Sequence, residues 1–179
     1  MEFILRPWRT EDAAAIVPHA DDDAVAGNLR DVFPYPYTLA DAESYVRACI
    51  KSEGQGQFCR AIVLDGQAAG SIGLFRKTDV YHRSAETGYW LGRAFWGRGI
   101  MTAAVRQMCA LGFDAWEDLL RIEAEPFAEN AASRRVLEKA GFTLEGTLRS
   151  SVYKVLDRRA EARLMDSCIY GLLREEGRR

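Results

Sequence analysis

The segment 95–102, FWGRGIMT, combines residue types that could bind a phosphate group. Gly97 and Gly99 bracket Arg98, and apolar residues with helical spacing follow from Ile100. A glycine loop that leads into a helix exposes backbone N–H groups without an intrahelical partner, and the helix dipole favours an anion there. Arg98 can add a charged fork for a phosphate. The same glycines can also form an ordinary turn, so the loop alone leaves both interpretations open.

A second polar motif, Asn130-Ala131-Ala132-Ser133, lies at the start of a short predicted helix. Asn130 and Ser133 are three positions apart, so they face one side of the first helical turn. Asn130 suits the N-cap position, and it could cap the helix while it presents its amide to a ligand. Two common nucleotide-binding patterns do not fit the glycine loop. GxxxxGK[ST] is absent, and GxGxxG fails because Thr102 stands where its third glycine would be.

The overall composition is that of an ordinary water-soluble protein. The 179 residues, 48% of them hydrophobic and 28% charged, predict a single domain over 1–179. A net charge of −2 gives no basic field for nucleic acid, and the apolar runs are far shorter than the roughly 20 residues of a membrane helix. Glu2, Arg6 and Arg9 interrupt the first apolar stretch, so we expect no signal peptide.

The cysteines and histidines do not suggest a metal site or a disulfide framework. Cys49, Cys59, Cys109 and Cys168 are widely spaced and lie in apolar or amphipathic segments, which favours buried free thiols. The two histidines, His19 and His82, are too far apart in sequence to suggest a metal pair. These features predict a cytoplasmic protein without a bound metal.

The predicted elements alternate in the manner of a mixed α/β domain around one sheet. A helix is predicted from an N-cap at Thr10 to about Pro18, and a capping box at Thr38 and Asp41 predicts another over 39–51. Further helices are predicted over 100–115 and 131–140, and strands over 3–6, 58–64, 67–75, 84–91, 119–125, 142–150 and 163–172. The strands 84–91 and 119–125 enclose a helix in a βαβ crossover, so they should be parallel.

Taken in order, these motifs resemble the GNAT superfamily of acetyltransferases, and most closely its RimJ/RimL-like branch, which includes ribosomal-protein N-terminal acetyltransferases. The matching pieces are Tyr89-Trp90-Leu91, the segment 96–102, and Asn130-x-x-Ser133-x-x-Val136-x-x-Lys139-x-Gly141-Phe142. The resemblance covers about residues 3–176. It implies the GNAT fold of α+β type: a single mixed, mostly antiparallel sheet of six to seven strands flanked by helices, with one parallel βαβ crossover that carries the CoA loop.

The resemblance assigns the glycine loop to the pyrophosphate of acetyl-CoA. The family motif R/Q-x-x-G-x-G/A falls on Trp96-x-x-Gly99-x-Met101, so this chain departs from it at Trp96 and Met101. Trp-Gly-Arg-Gly is usual in the RimJ/RimL-like branch, and a backbone donor requires no particular side chain. The implied cofactor-binding residues are Trp90, Leu91, Gly97, Arg98, Gly99, Ile100, Met101, Thr102, Asn130 and Ser133.

For the chemistry, the resemblance implies that Glu86 is the base that takes a proton from the amine, directly or through water. Strand alternation puts Ser84, Glu86 and Gly88 on one face, and the alternative for Glu86 is a solvated carboxylate or an ion-pair partner. The tyrosine that many family members use as an acid is Leu137 here. Ser133 is the substitute that we name, with Tyr153 as a third candidate, and the implied oxyanion donor is a backbone N–H near Leu91.

The acceptor wall is implied at Asn28, Arg30, Asp31, Phe33 and Tyr35, where Asp31 could hold an ammonium group. Core packing is the favoured alternative for Phe33 and Tyr35. We therefore predict an acetyl-CoA-dependent N-acetyltransferase that acts on a protein or peptide N-terminal amine, with a homodimer left open. The alternatives are a small-amine acetyltransferase (polyamine, amino acid or aminoglycoside) and a non-catalytic acyl-CoA-binding regulator, which the missing tyrosine favours.

Overall fold

The computed structural model describes residues 2–155 and 162–177. The elements in chain order are β1 (Ile4–Pro7), α1 (Asp12–Ala20), α2 (Asp23–Ala26), α3 (Leu39–Ser52), β2 (Gln57–Leu64), β3 (Gln67–Arg76), β4 (Ser84–Leu91), α4 (Ile100–Ala115), β5 (Arg121–Ala124), α5 (Ala131–Ala140), β6 (Thr143–Lys154) and β7 (Arg163–Leu173). Single turns of 3-10 helix lie at Asp79–Tyr81 and Arg93–Phe95.

One sheet of seven strands forms the centre of the molecule, in the order β1-β2-β3-β4-β5-β7-β6. The pair β4–β5 is parallel, and the other described pairs are antiparallel. The chain passes from β4 through α4 to β5, which is the βαβ crossover that the sequence predicts. The predicted fold class, a mixed and mostly antiparallel sheet with one parallel crossover, is therefore confirmed.

Local sequence signals account for several of these elements. Asp65 and Gly66 both have positive φ, 49° and 82°, as the turn of a two-residue hairpin between β2 and β3 requires. At the start of α3, the Thr38 hydroxyl accepts a hydrogen bond from the Asp41 amide at 3.3 Å. The Asp41 carboxylate accepts one in return from the Thr38 amide at 2.9 Å. The predicted capping box is therefore confirmed, and the turn joins two of the predicted strands.

The predicted boundaries are wrong at several element ends. Helix α1 begins at Asp12 without a side-chain cap from Thr10, because the Asp12 carboxylate already accepts the Arg9 amide at 2.9 Å and pairs with Arg6 at 2.7 Å. It continues past Pro18, whose fixed φ fits a helix. Strand β5 is shorter than the predicted 119–125, and β6 extends beyond the predicted end at 150.

Two apolar clusters cover the two faces of the sheet. On one face α4 packs against β3, with Leu74, Val105 and Met108 at most 1% exposed. On the other face α1 and α3 bury Ile16 and Val46, which are also at most 1% exposed. The four cysteines are buried and unpaired, as predicted. Within the described ranges, no helix combines the length and the apolar character that a membrane span requires.

Candidate active site

A cleft of about 800 Å³ opens where β4 and β5 separate. The two strands pair only at Ser84, Ala85 and Glu86, and β5 ends at Ala124 while β4 continues to Leu91. Over positions 87–91 the described partner of β4 is β3 on its other edge. The open edge presents backbone N–H and C=O groups that an extended ligand can pair with in strand fashion. The volume suits a drug-sized or cofactor-sized molecule.

The glycine loop forms one end of this cleft. Gly97 and Gly99 have φ of 75° and 76°, in the left-handed region that glycine adopts without steric cost. Gly99 is the N-cap of α4 and provides no side-chain cap, and the first amide bonded to its carbonyl is that of Ala103, at 3.1 Å. The amides of the first three helical residues therefore remain available for an anion, and the first turn of α4 contains no acidic residue.

Trp96 connects the loop to the end of β4. Its indole Nε1 donates a hydrogen bond to the Leu91 carbonyl at 2.6 Å, and its backbone amide donates to the Arg93 carbonyl at 3.2 Å. The indole thus fixes the start of the loop relative to the strand that leads into it. This contact gives a physical reason for tryptophan at the first departure from the family motif. The sequence offered no local signal for it, because the acceptor is a backbone carbonyl.

Asn130 caps α5, since its Oδ1 accepts a hydrogen bond from the Ser133 amide at 3.0 Å. Both residues line the cleft, and the capping bond leaves the Asn130 Nδ2 group as a donor. Leu137, which stands where many family members have tyrosine, is completely buried in the core. A phenol from α5 is therefore not part of this site.

A different phenol, that of Tyr89 on β4, contacts the first turn of α5. The Tyr89 hydroxyl lies 2.9 Å from the Ser133 Oγ and 3.3 Å from the Ser133 carbonyl, and both side chains line the cleft. Burial raises the pKa of the Tyr89 phenol, so it stays protonated and can donate. When it donates to Oγ, the serine O–H is free to point elsewhere in the cleft. Tyr89 is part of the family motif in the sequence, but its pairing with Ser133 was not predicted.

Glu86 lies at the opposite end of the cleft from the glycine loop. Alternation along β4 puts it on the same face as Trp90, which packs in the cluster beneath α1 and α3. Its carboxylate accepts a hydrogen bond from the Arg30 guanidinium, which comes from the segment after α2. Tyr89 is on the other face of β4, so the candidate base and the candidate acid approach the open strand edge from two sides.

The charges that line the cleft divide between its two ends. Cations from the loop and from one face of α5 lie at the glycine end: Arg98, Arg135 and Lys139. The far end has one cation and two carboxylates: Arg30, Glu86 and Glu125. Arg135 and Lys139 were not predicted as site residues. The two cations are four positions apart on α5, so they share one helix face with each other, and this spacing is visible in the sequence.

The predicted site residues line this cleft, except for Asp31, Tyr35 and the third candidate acid, Tyr153. Asp31 instead borders a smaller pocket of about 360 Å³ together with Tyr153. Its carboxylate accepts hydrogen bonds from the Lys154 ammonium at 2.8 Å and the Val155 amide at 3.0 Å. These two donors lower the pKa of the Asp31 carboxyl. The expectation that Asp31 holds an acceptor ammonium does not fit this geometry, because Lys154 already fills that role.

Phe33 has both roles that the sequence analysis considered, core packing and a place in the acceptor wall. Its ring stacks on Tyr37 with centroids 5.0 Å apart and meets Trp90 edge-on at 5.8 Å. It also borders the cleft near Asn28, so it packs the core and shapes the acceptor end at once. Tyr35 lies outside the cleft lining and is half-exposed.

Known proteins share both the sequence pattern and the fold. The model of the acetyltransferase (GNAT) domain matches residues 2–143. An uncharacterised N-acetyltransferase of Bacillus licheniformis, p20, is 31% identical over 176 residues, which are 96% of this chain and 93% of p20. The putative ribosomal N-acetyltransferase YdaF of Bacillus subtilis (strain 168) is 38% identical over 92 residues, which are 51% of this chain and 49% of YdaF.

A solved structure agrees with these matches. Mycobacterium smegmatis RimJ in complex with CoA-disulfide has a TM-score of 0.82 and 28% sequence identity to this chain, and the match covers 97% of this chain and 83% of RimJ. The family match spans most of the chain, and it includes β4, the glycine loop and α5. The predicted family is thereby confirmed, and with it the assignment as an acyltransferase enzyme. The chain belongs to the GNAT family of acetyltransferases.

Proposed function

We propose that this enzyme transfers the acetyl group of acetyl-CoA to the N-terminal amine of a peptide or protein. The observation that carries the proposal is the cleft itself: an open β4 edge, with the free amides of α4 at one end and a carboxylate at the other. The RimJ structure that resembles this chain contains a CoA moiety. YdaF, a shorter local match, is named as a ribosomal N-acetyltransferase.

The glycine end of the cleft suits a CoA thioester. The pyrophosphate would lie on the amides of Ile100, Met101 and Thr102, where left-handed glycines allow the backbone to approach closely. Arg135 and Lys139 would add positive charge beside it. The pantetheine amides would pair with the open edge of β4 near Trp90 and Leu91. The donor chemistry of these residues therefore fits acetyl-CoA as the co-substrate.

The far end of the cleft supplies the groups that acetyl transfer requires. Glu86 takes a proton from the amine, and the amine nitrogen then forms the new bond to the acetyl carbon while the bond from that carbon to sulfur breaks. A backbone N–H on the open edge of β4, between Glu86 and the pantetheine, stabilises the negative oxygen. The CoA sulfur leaves as a thiolate, and the Ser133 hydroxyl, oriented by Tyr89, donates a hydrogen bond to it. Holding the amine and the thioester together supplies most of the rate, and the proton transfer adds about 10²–10⁴-fold.

A peptide acceptor fits the charge and shape of the far end better than a polyamine does. Glu86 and Glu125 are partly offset by Arg30, so this end lacks the strong acidity that a polycation requires. Apolar side chains line the rest of it: Leu29, Val32, Phe33, Phe75 and Phe127. The smaller pocket shares Arg30 and Phe127 with the cleft, so an extended acceptor could continue into it.

Acetylation of an acceptor panel tests this function directly. The panel contains peptides with free N-termini, the same peptides with blocked N-termini and an internal lysine, a polyamine, an amino acid and an aminoglycoside. Release of the CoA thiol and the mass of each product are measured. We expect kcat/KM for free N-termini to exceed that for the other acceptors by on the order of 10-fold or more. A small amine that is preferred over every peptide would contradict the peptide assignment.

A further inference from the structure

The acceptor end of the cleft contains an ion pair that acetyl transfer must open. The Arg30 Nη2 group is hydrogen-bonded to the Glu86 Oε1, which belongs to the carboxylate that we propose as the base. The Arg30 side chain is 63% exposed and that of Glu86 is 32% exposed, so both remain accessible from the cleft. An ammonium group that approaches Glu86 therefore meets a guanidinium on the same carboxylate, and the two cations repel each other.

The nearby carboxylates already accept hydrogen bonds from other groups, so a displaced Arg30 would have to share them with those donors. Asp31 accepts from Lys154 at 2.8 Å and from the Val155 amide at 3.0 Å. Glu125 accepts from the Ser167 hydroxyl at 2.6 Å. A neutral acceptor would thus leave Arg30 in competition for Glu86. An acceptor that brings its own anion would replace one ion pair by two.

Arg30 also stands where an extended acceptor would pass. It borders the main cleft and the smaller pocket, and the two share Glu125 and Phe127 as well. The other cations of the cleft lining, Arg98, Arg135 and Lys139, lie at the glycine end, where the pyrophosphate would take them. A planar guanidinium fits a carboxylate with two parallel hydrogen bonds, which gives it a specific preference for that group.

We propose that Arg30 binds an acidic side chain of the acceptor, so that the preferred substrate is a peptide whose second residue is aspartate or glutamate. This inference rests on the proposed peptide N-acetyltransferase function and names its acceptor class. The ammonium group pairs with Glu86 while the acceptor carboxylate draws Arg30 away from it. Arg30 then controls both the binding of the acceptor and the availability of the base.

Matched peptides test the inference. Two peptides differ only in Asp or Asn at the second position, and kcat/KM is measured for the wild type, for Arg30→Gln and for Arg47→Gln. Arg47 is the control, because it is also 63% exposed and paired with a glutamate, Glu43, but lies on α3 outside the cleft lining. We expect the wild type and Arg47→Gln to prefer the Asp peptide about 10-fold, as for a charge-assisted pair, and Arg30→Gln to lose this preference.

Several results would overturn the inference. Equal kcat/KM for the two peptides in the wild type would do so, as would a preference that survives in Arg30→Gln. If no peptide is acetylated at all, the proposed peptide function fails, and the comparison moves to a free amino acid and its carboxamide. Calorimetry also measures the Kd of the same ligands for the complex of the enzyme with CoA, so the preference can be tested without turnover. In either format, a preference for the carboxylate that depends on Arg30 supports the inference, and its absence overturns it.

Discussion

Replacing Glu86 by glutamine is expected to lower kcat about 10²–10⁴-fold, because an amide of the same shape cannot accept the proton of the amine. Acetyl-CoA binding should be retained, since Glu86 lies at the end of the cleft away from the glycine loop. The fold should be retained as well. The variant weakens a partly exposed ion pair with Arg30, and surface pairs contribute only about 0.2–1 kcal/mol. Steady-state kinetics with a saturating acceptor measure the effect.

The control for this prediction is Glu43→Gln. Glu43 is also a partly exposed glutamate paired with an arginine, Arg47, but it lies on α3 outside the cleft lining. Glu43→Gln should therefore keep the wild-type kcat. If Glu86→Gln also keeps it, Glu86 is an ion-pair partner and not the base.

Replacing Gly99 by aspartate is expected to raise the Kd for CoA on the order of 100-fold, which corresponds to about 2.7 kcal/mol. The φ of 76° strains any residue with a Cβ. Open space surrounds the position, so the new carboxylate would lie among the amides of Ile100, Met101 and Thr102 without a steric clash. There it would bind the donors that we assign to the pyrophosphate and repel the phosphate charge. Isothermal titration calorimetry measures the Kd.

Gly54→Asp separates the charge effect from the backbone strain. Gly54 has nearly the same φ, 77°, the same open surroundings and no place in the cleft lining. Both variants should lose similar stability from strain, and only Gly99→Asp should lose CoA affinity. Equal affinity in the two variants would mean that the pyrophosphate does not bind at this loop.

Structural features that depend on residues adjacent in the sequence were predictable. The hairpin at Asp65-Gly66, the capping box at Thr38 and the left-handed glycines of the loop each follow from the conformational preference of one or two residues. The βαβ crossover follows from the order of the elements and from the handedness of such units. The crossover carries the glycine loop, and most of the predicted site residues line the cleft beside it.

The side-chain contacts that were predicted wrongly or not predicted at all join residues that are distant in the sequence. The residue type of Asp31 suggests an ammonium site, but Lys154, more than a hundred positions away, already neutralises it. The pairs Arg30–Glu86 and Tyr89–Ser133 likewise join separate elements. Side chains of this kind meet only after the sheet has formed, so periodicity and capping signals carry no information about them.

Leu137 illustrates how a departure from a family motif can mislead. Its missing phenol favoured a non-catalytic regulator at the sequence level, yet the position is fully buried and contributes to the core. Tyr89 brings a phenol to the same part of α5 from β4, where it contacts Ser133. The hydroxyl pair offers a hydrogen-bond donor without the usual tyrosine, in agreement with the family assignment as an enzyme.

The most direct test of the central claim is the backbone amide NMR spectrum of the ¹⁵N-labelled enzyme during titration with CoA, and separately with pantetheine, which lacks the pyrophosphate. CoA is expected to shift the amide signals of Gly97, Gly99, Ile100, Met101 and Thr102. Pantetheine should affect the end of β4 near Leu91 and leave the loop unchanged. Saturation with CoA that leaves the signals of the loop and of the first turn of α4 in place would contradict the account.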